Sequence, residues 1–234
     1  GDHRDLHLSI RRQRQMCIRD REYRVPSGFN ADGGVAEIVG YDPNSRRLML
    51  VNGVTNTVDV LAFGNDDFAA PTLVASLQPS TTVATATNVT SVAVKNGLIA
   101  VAIGHTTKTT PGYVFFYTAA TGAYVSHIDF STALSQVGGI RGALPDMVTF
   151  TPDGSKVLVA IEAEPASDYS IDPDGGVVVV AVTAGVPAAS ATWIGFDDAN
   201  TAAYQAAGVR IYNDRASTAP TISAAKDLEP EYIT

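Results

Sequence analysis

The sequence is poor in cysteine, in cationic side chains and in long apolar runs, and each shortage excludes a class of protein. Its 234 residues include one cysteine, Cys17, so a disulfide framework within the chain and a cysteine-rich zinc site are excluded. It has no run of about 18 apolar residues, which a membrane-spanning helix requires. With 16 basic against 24 acidic residues its formal net charge is −8, which disfavours binding to nucleic acid.

Familiar catalytic motifs are missing as well. The sequence contains no Gly-x-Ser-x-Gly turn, no P-loop and no His-Glu-x-x-His motif. Beyond residue 24 the histidines are His105 and His127, and neither has a serine or aspartate at an informative spacing. We interpret both as surface or packing residues and Trp193 as a strand-packing residue, so the sequence predicts no catalytic residue.

The first residues differ in character from the rest. Residues 11–21 match one translated frame of a transposon-end sequencing adapter, and such scars do not enter fold reasoning. The alternative is a basic arm that binds nucleic acid or another anionic surface. Beyond residue 24 the chain contains nine basic and twenty acidic residues and no cysteine, which makes this body still more acidic.

What the sequence does contain is a repeating unit: an acidic residue, a strand, a Pro/Gly turn and a second strand. The clearest copy spans 146–160 and an earlier one spans 37–51. A third spans 90–102, with Thr90 in place of the acid, and a fourth begins at Glu231. Two further β-rich runs follow each of the first three units, separated by turn residues. Four antiparallel strands per repeat form the blade of a β-propeller.

The repeat therefore predicts an all-β chain, a β-propeller fragment of about three four-stranded blades plus the start of a fourth. One short helix is expected near 199–207, where the sequence is rich in alanine and ends at Gly208. Closed propellers have about 4–8 blades. We accordingly expect residues 1–22 to be non-native and residues 23–234 to be a partial propeller domain, truncated at both ends.

The repeat also places acids at equivalent positions, namely Glu37, Asp146 and Glu231, with Thr90 in the second unit. If the first strand of each unit is the innermost one, these residues ring one mouth of the central channel. Calcium takes six to eight oxygen ligands, so this ring is a candidate Ca²⁺ site. The alternative is that each acid accepts backbone N–H groups where its strand begins.

A second set of candidate metal ligands follows the third unit. Five carboxylates lie within thirteen residues: Glu162, Glu164, Asp168, Asp172 and Asp174. They repel one another unless solvent or a cation neutralises them, and their spacing does not match an EF-hand loop. A solvated loop, a Ca²⁺-stabilised loop and a catalytic acid pair remain open.

From about residue 23 to its end, the sequence resembles the choice-of-anchor I family, bacterial cell-surface or secreted β-propeller domains of the YVTN/WD40-like type. The resemblance rests on residues 36–43, 50–53, 91–97, 142–154, 206–211 and 227–233. It implies a larger, seven-bladed propeller. Family members usually have Asn-Glu-Gly-Glu-Pro after the third unit, whereas this chain has Ile161-Glu162-Ala163-Glu164-Pro165. It thus lacks the asparagine and the flexible glycine.

These observations predict a non-catalytic binding or scaffold module of a secreted or cell-surface bacterial protein, stabilised by Ca²⁺. Its expected partners are the remaining propeller blades and an unknown protein or cell-surface ligand, with no nucleic acid and no membrane span.

Two alternatives remain open. One is a phytase-like, calcium-dependent phosphoesterase, which would use Glu37, Asp146, Glu162, Glu164 and Glu231 around a substrate phosphate. The scarce and scattered lysines and arginines argue against it. The other is a spacer fused to a separate hydrolase domain.

Overall fold

The computed structural model describes residues 36, 38–63, 71–211 and 223–234, and their strands form three antiparallel sheets. Blade 1 comprises β1 (Val39–Asp42), β2 (Arg47–Asn52), β3 (Thr57–Ala62) and β4 (Thr72–Leu77). Blade 2 comprises β5 (Ala86–Lys95), β6 (Leu98–His105), β7 (Tyr113–Thr118) and β8 (Tyr124–Asp129). Blade 3 comprises β9 (Pro145–Phe150), β10 (Lys156–Ile161), β11 (Gly176–Thr183), β12 (Val186–Pro187) and β13 (Thr192–Gly195).

Each blade is a meander in which sequential strands pair. Blades 1 and 2 have the orders β1-β2-β3-β4 and β5-β6-β7-β8, and blade 3 runs from β9 through β10 to β11, which pairs with both β12 and β13. The β5–β6 connection shows how the sequence sets the register. Asn96 and Gly97 both have positive φ, as a two-residue hairpin turn requires, so Lys95 pairs directly with Leu98.

Blade 2 is covered on both faces, and its alternating side chains build the two cores of the molecule. Along β6, Ile99, Val101 and Ile103 pack towards blade 1. Leu98, Ala100 and Ala102 pack towards blade 3. Adjacent Phe115 and Phe116 on β7 are fully buried on opposite sides, and burying such a side chain stabilises the fold by about 1.5–3 kcal/mol. This explains why these strands are nearly continuous apolar runs.

The first strands of the three units lie next to one another. Strand β5 contacts both β1 and β9, and two side chains of β5 bond directly to β9. The Thr90 hydroxyl donates to the Pro145 carbonyl at 2.6 Å, and the Val148 N–H donates to Ser91 Oγ at 3.2 Å. The first strands of the three units are thus neighbours, as the candidate ring of acids requires.

The helices are short. The predicted helix near 199–207 is confirmed as a 3-10 turn at Asp198–Asn200 followed by α2 (Thr201–Ala206). Two four-residue helices were not predicted, α1 (Phe130–Ala133) and α3 (Ala224–Asp227), because one turn is too short to show helical periodicity. None of the helices in the described ranges is long and apolar enough to cross a membrane.

The all-β fold of three blades is thus confirmed. The segment from Glu231 to Thr234, predicted to open a fourth unit, belongs to no sheet among the described residues. Residues 1–22, predicted to be non-native, lie outside the described ranges, so that domain boundary stays a prediction.

Candidate functional site

Asp146 and Glu162 lie at one edge of blade 3, because antiparallel pairing brings the start of β9 beside the end of β10. Pro145 pairs with Ile161, and the Glu162 N–H donates to the Leu144 carbonyl at 3.1 Å. Glu231 comes from the C-terminal segment, and its charge acts on both carboxyls. We call Asp146, Glu162 and Glu231 the carboxylate cluster. The structure thus brings together one acid of the predicted insertion and two acids of the predicted ring.

The surroundings of Glu162 and Asp146 favour protonation of these two carboxyls. Burial, followed by the charges of Asp146, Glu164, Glu231 and Glu229, raises the pKa of Glu162 from 4.5 to about 7. Burial, followed by the charge of Glu231, also raises the pKa of Asp146. Within the described ranges no lysine, arginine or histidine forms an ion pair with any of the three. At neutral pH Glu162 is therefore close to half protonated.

The backbone on either side of these carboxyls is strained. Leu144 has φ of 48° and Ala163 has φ of 60°, in the left-handed region that costs a non-glycine residue about 1–2 kcal/mol. Such strain persists only where the surrounding structure imposes it, and it concentrates at functional sites. Ala163 stands where the family resemblance predicts a flexible glycine, and it adopts the left-handed backbone conformation that glycine favours.

Thr90 does not add an oxygen ligand to the cluster. Its hydroxyl lies within hydrogen-bonding distance of two carbonyls, those of Pro145 at 2.6 Å and Ala102 at 3.2 Å. The residue that replaces the acid in the second unit therefore fastens β5 to β9, directly beside Asp146.

The remaining predicted ligands occupy separate environments. Glu164 is exposed and forms an ion pair with Lys108 at 2.9 Å. Asp168 closes an exposed turn by accepting the N–H and hydroxyl of Ser170 at 3.1 and 2.7 Å, and these bonds lower its pKa. The backbone carbonyl of Asp172 accepts from Lys226 at 2.5 Å. Glu37 lies outside the described residues.

Asp174 is the buried exception among these acids. Its carboxylate bonds to the Lys226 ammonium and lies 3.9 Å from Arg141 Nε. We call Asp174, Arg141 and Lys226 the Asp174 junction. It ties the C-terminal segment to blade 3, together with a bond from the Gly175 N–H to the Ala225 carbonyl at 2.8 Å. No sequence pattern indicates this junction, since Asp172-Pro173-Asp174-Gly175 has the form of an ordinary β-turn.

Among the described residues, no three His, Cys, Asp or Glu side chains are arranged to hold a metal ion. The two predicted ligand sets therefore do not form a preorganised Ca²⁺ site there, and calcium binding stays a prediction. The two histidines have local partners. His127 stacks on Phe115 with ring centroids 4.7 Å apart and bonds to the Tyr124 hydroxyl at 2.7 Å, while His105 Nδ1 accepts the Thr107 N–H at 2.9 Å.

A cleft of about 360 Å³ opens beside the Asp174 junction. Its walls include Trp193, Gly195, Phe196 and Asp197 together with Arg141 and Lys226. Trp193 packs against the core between blades 2 and 3, as predicted, but it also lines this cleft. We call it the Trp193 cleft. The sequence pattern missed it, because its walls come from four separate segments spread over residues 138–226.

Comparison with known proteins places the chain in a family. The model of the Choice-of-anchor I domain matches residues 37–234, which is most of the chain. Comparison of the sequence with curated proteins gives no match.

Three solved structures are similar to part of this chain. Hydrazine synthase of Kuenenia stuttgartiensis is 12% identical, with a TM-score of 0.44, over 68% of this chain and 37% of that one. A luciferin-regenerating enzyme is 11% identical, with a TM-score of 0.45, over 70% and 50%. The endosialidase of phage phi92 is 11% identical, with a TM-score of 0.44, over 76% and 28%. The chain thus spans half or less of the length of these three structures.

Proposed function

The chain belongs to the choice-of-anchor I family, and on this premise we propose that it is a non-catalytic propeller module of a secreted or cell-surface bacterial protein. In this role it presents rigid blade edges to a protein or surface ligand, and Ca²⁺ neutralises the carboxylate cluster. The two apolar cores support the scaffold role, because they fix each blade against the next and so fix the strand ends that carry Asp146 and Glu162.

The calcium part rests on one observation: Glu162 is held against like charges without a cationic partner among the described residues. Like charges this close are costly unless protonated or neutralised. A hard cation with oxygen ligands suits carboxylates and backbone carbonyls alike. The exposed position of Glu231 leaves it free to close on a cation. Relief of repulsion, and not a preformed ligand set, is what favours the ion.

Thermal unfolding in Ca²⁺ and in EDTA tests this part of the proposal. A ligand present at about 100 times its Kd stabilises the folded state by about 2.7 kcal/mol, so Ca²⁺ should raise Tm in a saturable manner. Glu162→Gln should abolish most of that rise. Asp168→Asn is the matched control, since it removes the charge of an exposed carboxylate that closes its own turn with Ser170 and is not among the charges that act on Glu162. Equal Tm values in Ca²⁺ and EDTA would remove calcium from the proposal.

The non-catalytic part is tested by a phosphatase assay of the same protein with Ca²⁺ and a phosphomonoester. We expect no turnover above that of the buffer. Turnover that Asp146→Asn abolishes would overturn the scaffold role and establish a phosphoesterase instead.

A further inference from the structure

The Trp193 cleft has the size and the mixed lining of a ligand site. Small-molecule sites have volumes of about 300–1,000 Å³ and combine apolar walls with a few placed polar groups. The cleft, at about 360 Å³, reaches the lower end of that range. Trp193 and Phe196 supply apolar surface, while Asp197, Arg141 and Lys226 supply polar groups.

The indole ring of Trp193 packs closely against two glycines, Gly176 and Gly195, where no side chain would fit. A Cβ on Gly195 would lie 2.4 Å from the indole Nε1, and one on Gly176 would lie 2.6 Å from the far ring carbons. Trp193 pairs with Val178 in the strand register, and its side chain packs against the core. Its N–H donates to no acceptor among the described residues. The cleft therefore presents a fixed aromatic surface that carries one unused donor.

The charges of the cleft match neither a free anion nor a free cation. Arg141 and Lys226 both contact the buried carboxylate of Asp174, and with Asp197 and Asp198 the lining carries two cations against three carboxylates. Both oxygens of Asp198 accept from Ser223, and one also accepts from the Ala225 N–H. Asp197, which also lines the cleft, uses Oδ1 to accept the Ala199 N–H at 2.9 Å, and its Oδ2 has no hydrogen bond to the described residues. A neutral ligand with hydroxyl groups suits this set best.

We propose that the Trp193 cleft binds a neutral pyranose, either free or as a residue of a glycan. The C–H face of the sugar stacks on Trp193, and its hydroxyls donate to Asp197 and accept from the indole N–H. A pyranose combines an apolar face with a rim of hydroxyls, which is the chemistry that these walls complement. The site is separate from the carboxylate cluster and does not depend on calcium.

Tryptophan fluorescence provides a direct readout, because Trp193 is the single tryptophan of the chain. The probes are galactose, mannose, N-acetylglucosamine and short β-linked glucose oligomers, titrated into the full chain. We expect a saturable change in the emission of Trp193 with at least one of them, and protection of that emission from acrylamide quenching.

Two matched variants locate the binding. Asp197→Asn keeps an oxygen for the turn but replaces the free acceptor by a donor, and we expect about a tenfold loss of affinity. Asp168→Asn makes the same change in an exposed acid that closes a similar turn elsewhere, and we expect no loss. If every sugar leaves the emission unchanged, or if both variants respond alike, the proposal is wrong. A response to glycerol at the same concentrations would also overturn it, because the cleft would then bind an adventitious additive only.

Discussion

The carboxylate cluster and the Asp174 junction each contain an acid from residues 162–174 of blade 3, but only the acid of the junction is paired with cations. Asp174 is 7% exposed and contacts two cations. Asp146 and Glu162 are half-buried beside further carboxyls and have no cationic partner within the described ranges. One group is neutralised inside the protein, whereas the other depends on protons or ions from solution.

The difference separates structural acids from candidate functional ones. The junction fastens the C-terminal segment to blade 3, so its charges serve the fold. The cluster gains nothing for stability from holding like charges together, and strained backbone at Leu144 and Ala163 accompanies it. Acids that cost stability and persist next to strained backbone are stronger candidates for function than acids that are fully paired.

The largest effect is expected where the junction is broken. Asp174→Ala leaves Lys226 and Arg141 partly buried without their counter-charge, and removing one partner of such a set is strongly destabilising. Since both cations retain some exposure to solvent, we expect a loss of about 2–4 kcal/mol in the free energy of unfolding, measured with urea. Asp168→Ala is the control, with a loss below about 1 kcal/mol. Equal losses would erase the distinction between paired and exposed acids.

The blades and hairpins could be predicted from the sequence, whereas the partners of the acids could not. The hairpins followed from local signals, such as Asn96-Gly97, and the blades followed from the repeat. The partners of the acids did not follow, because Lys108 and Lys226 lie more than fifty residues from Glu164 and Asp174 in the chain. Spacing alone suggested five mutually repelling carboxylates, whereas tertiary contacts divide them among separate environments.

A smaller effect is expected from the pH dependence of the cluster. Because folding raises the pKa of Glu162 from 4.5 to about 7, the folded state binds its proton more tightly than the unfolded state. Stability is then fully present below pH 4.5 and is lost as the pH rises to about 7. Solvent screens this group, so we expect a loss of about 1–2 kcal/mol.

Glu162→Gln should remove that loss, as measured by urea unfolding in EDTA between pH 4 and 8. Asp168→Asn is the control, because the lowered pKa of Asp168 confines its effect to more acidic conditions. If the wild-type and Glu162→Gln profiles are parallel across this range, repulsion within the carboxylate cluster does not lower the stability of the folded state.

The smallest effect is expected from burial of a polar group that carries no charge. Burial is also the first cause of the raised pKa values of Asp146 and Glu162. Tyr117 provides the uncharged case: its hydroxyl is buried without a hydrogen bond to any residue in the described ranges, and burial raises its pKa, so the phenol stays neutral. Tyr117→Phe should increase stability by about 1 kcal/mol, because an unsatisfied buried polar group is removed.

Tyr113→Phe is the matched control for this measurement, because its hydroxyl is bonded to Thr85 at 2.7 Å. There we expect a loss of about 1 kcal/mol on urea unfolding. Opposite signs for the two tyrosines would show that burial of an unpaired polar group is costly in this protein even without charge, as burial is at Glu162. Equal signs would show that a buried hydroxyl without a hydrogen bond costs no more than a bonded one in this core.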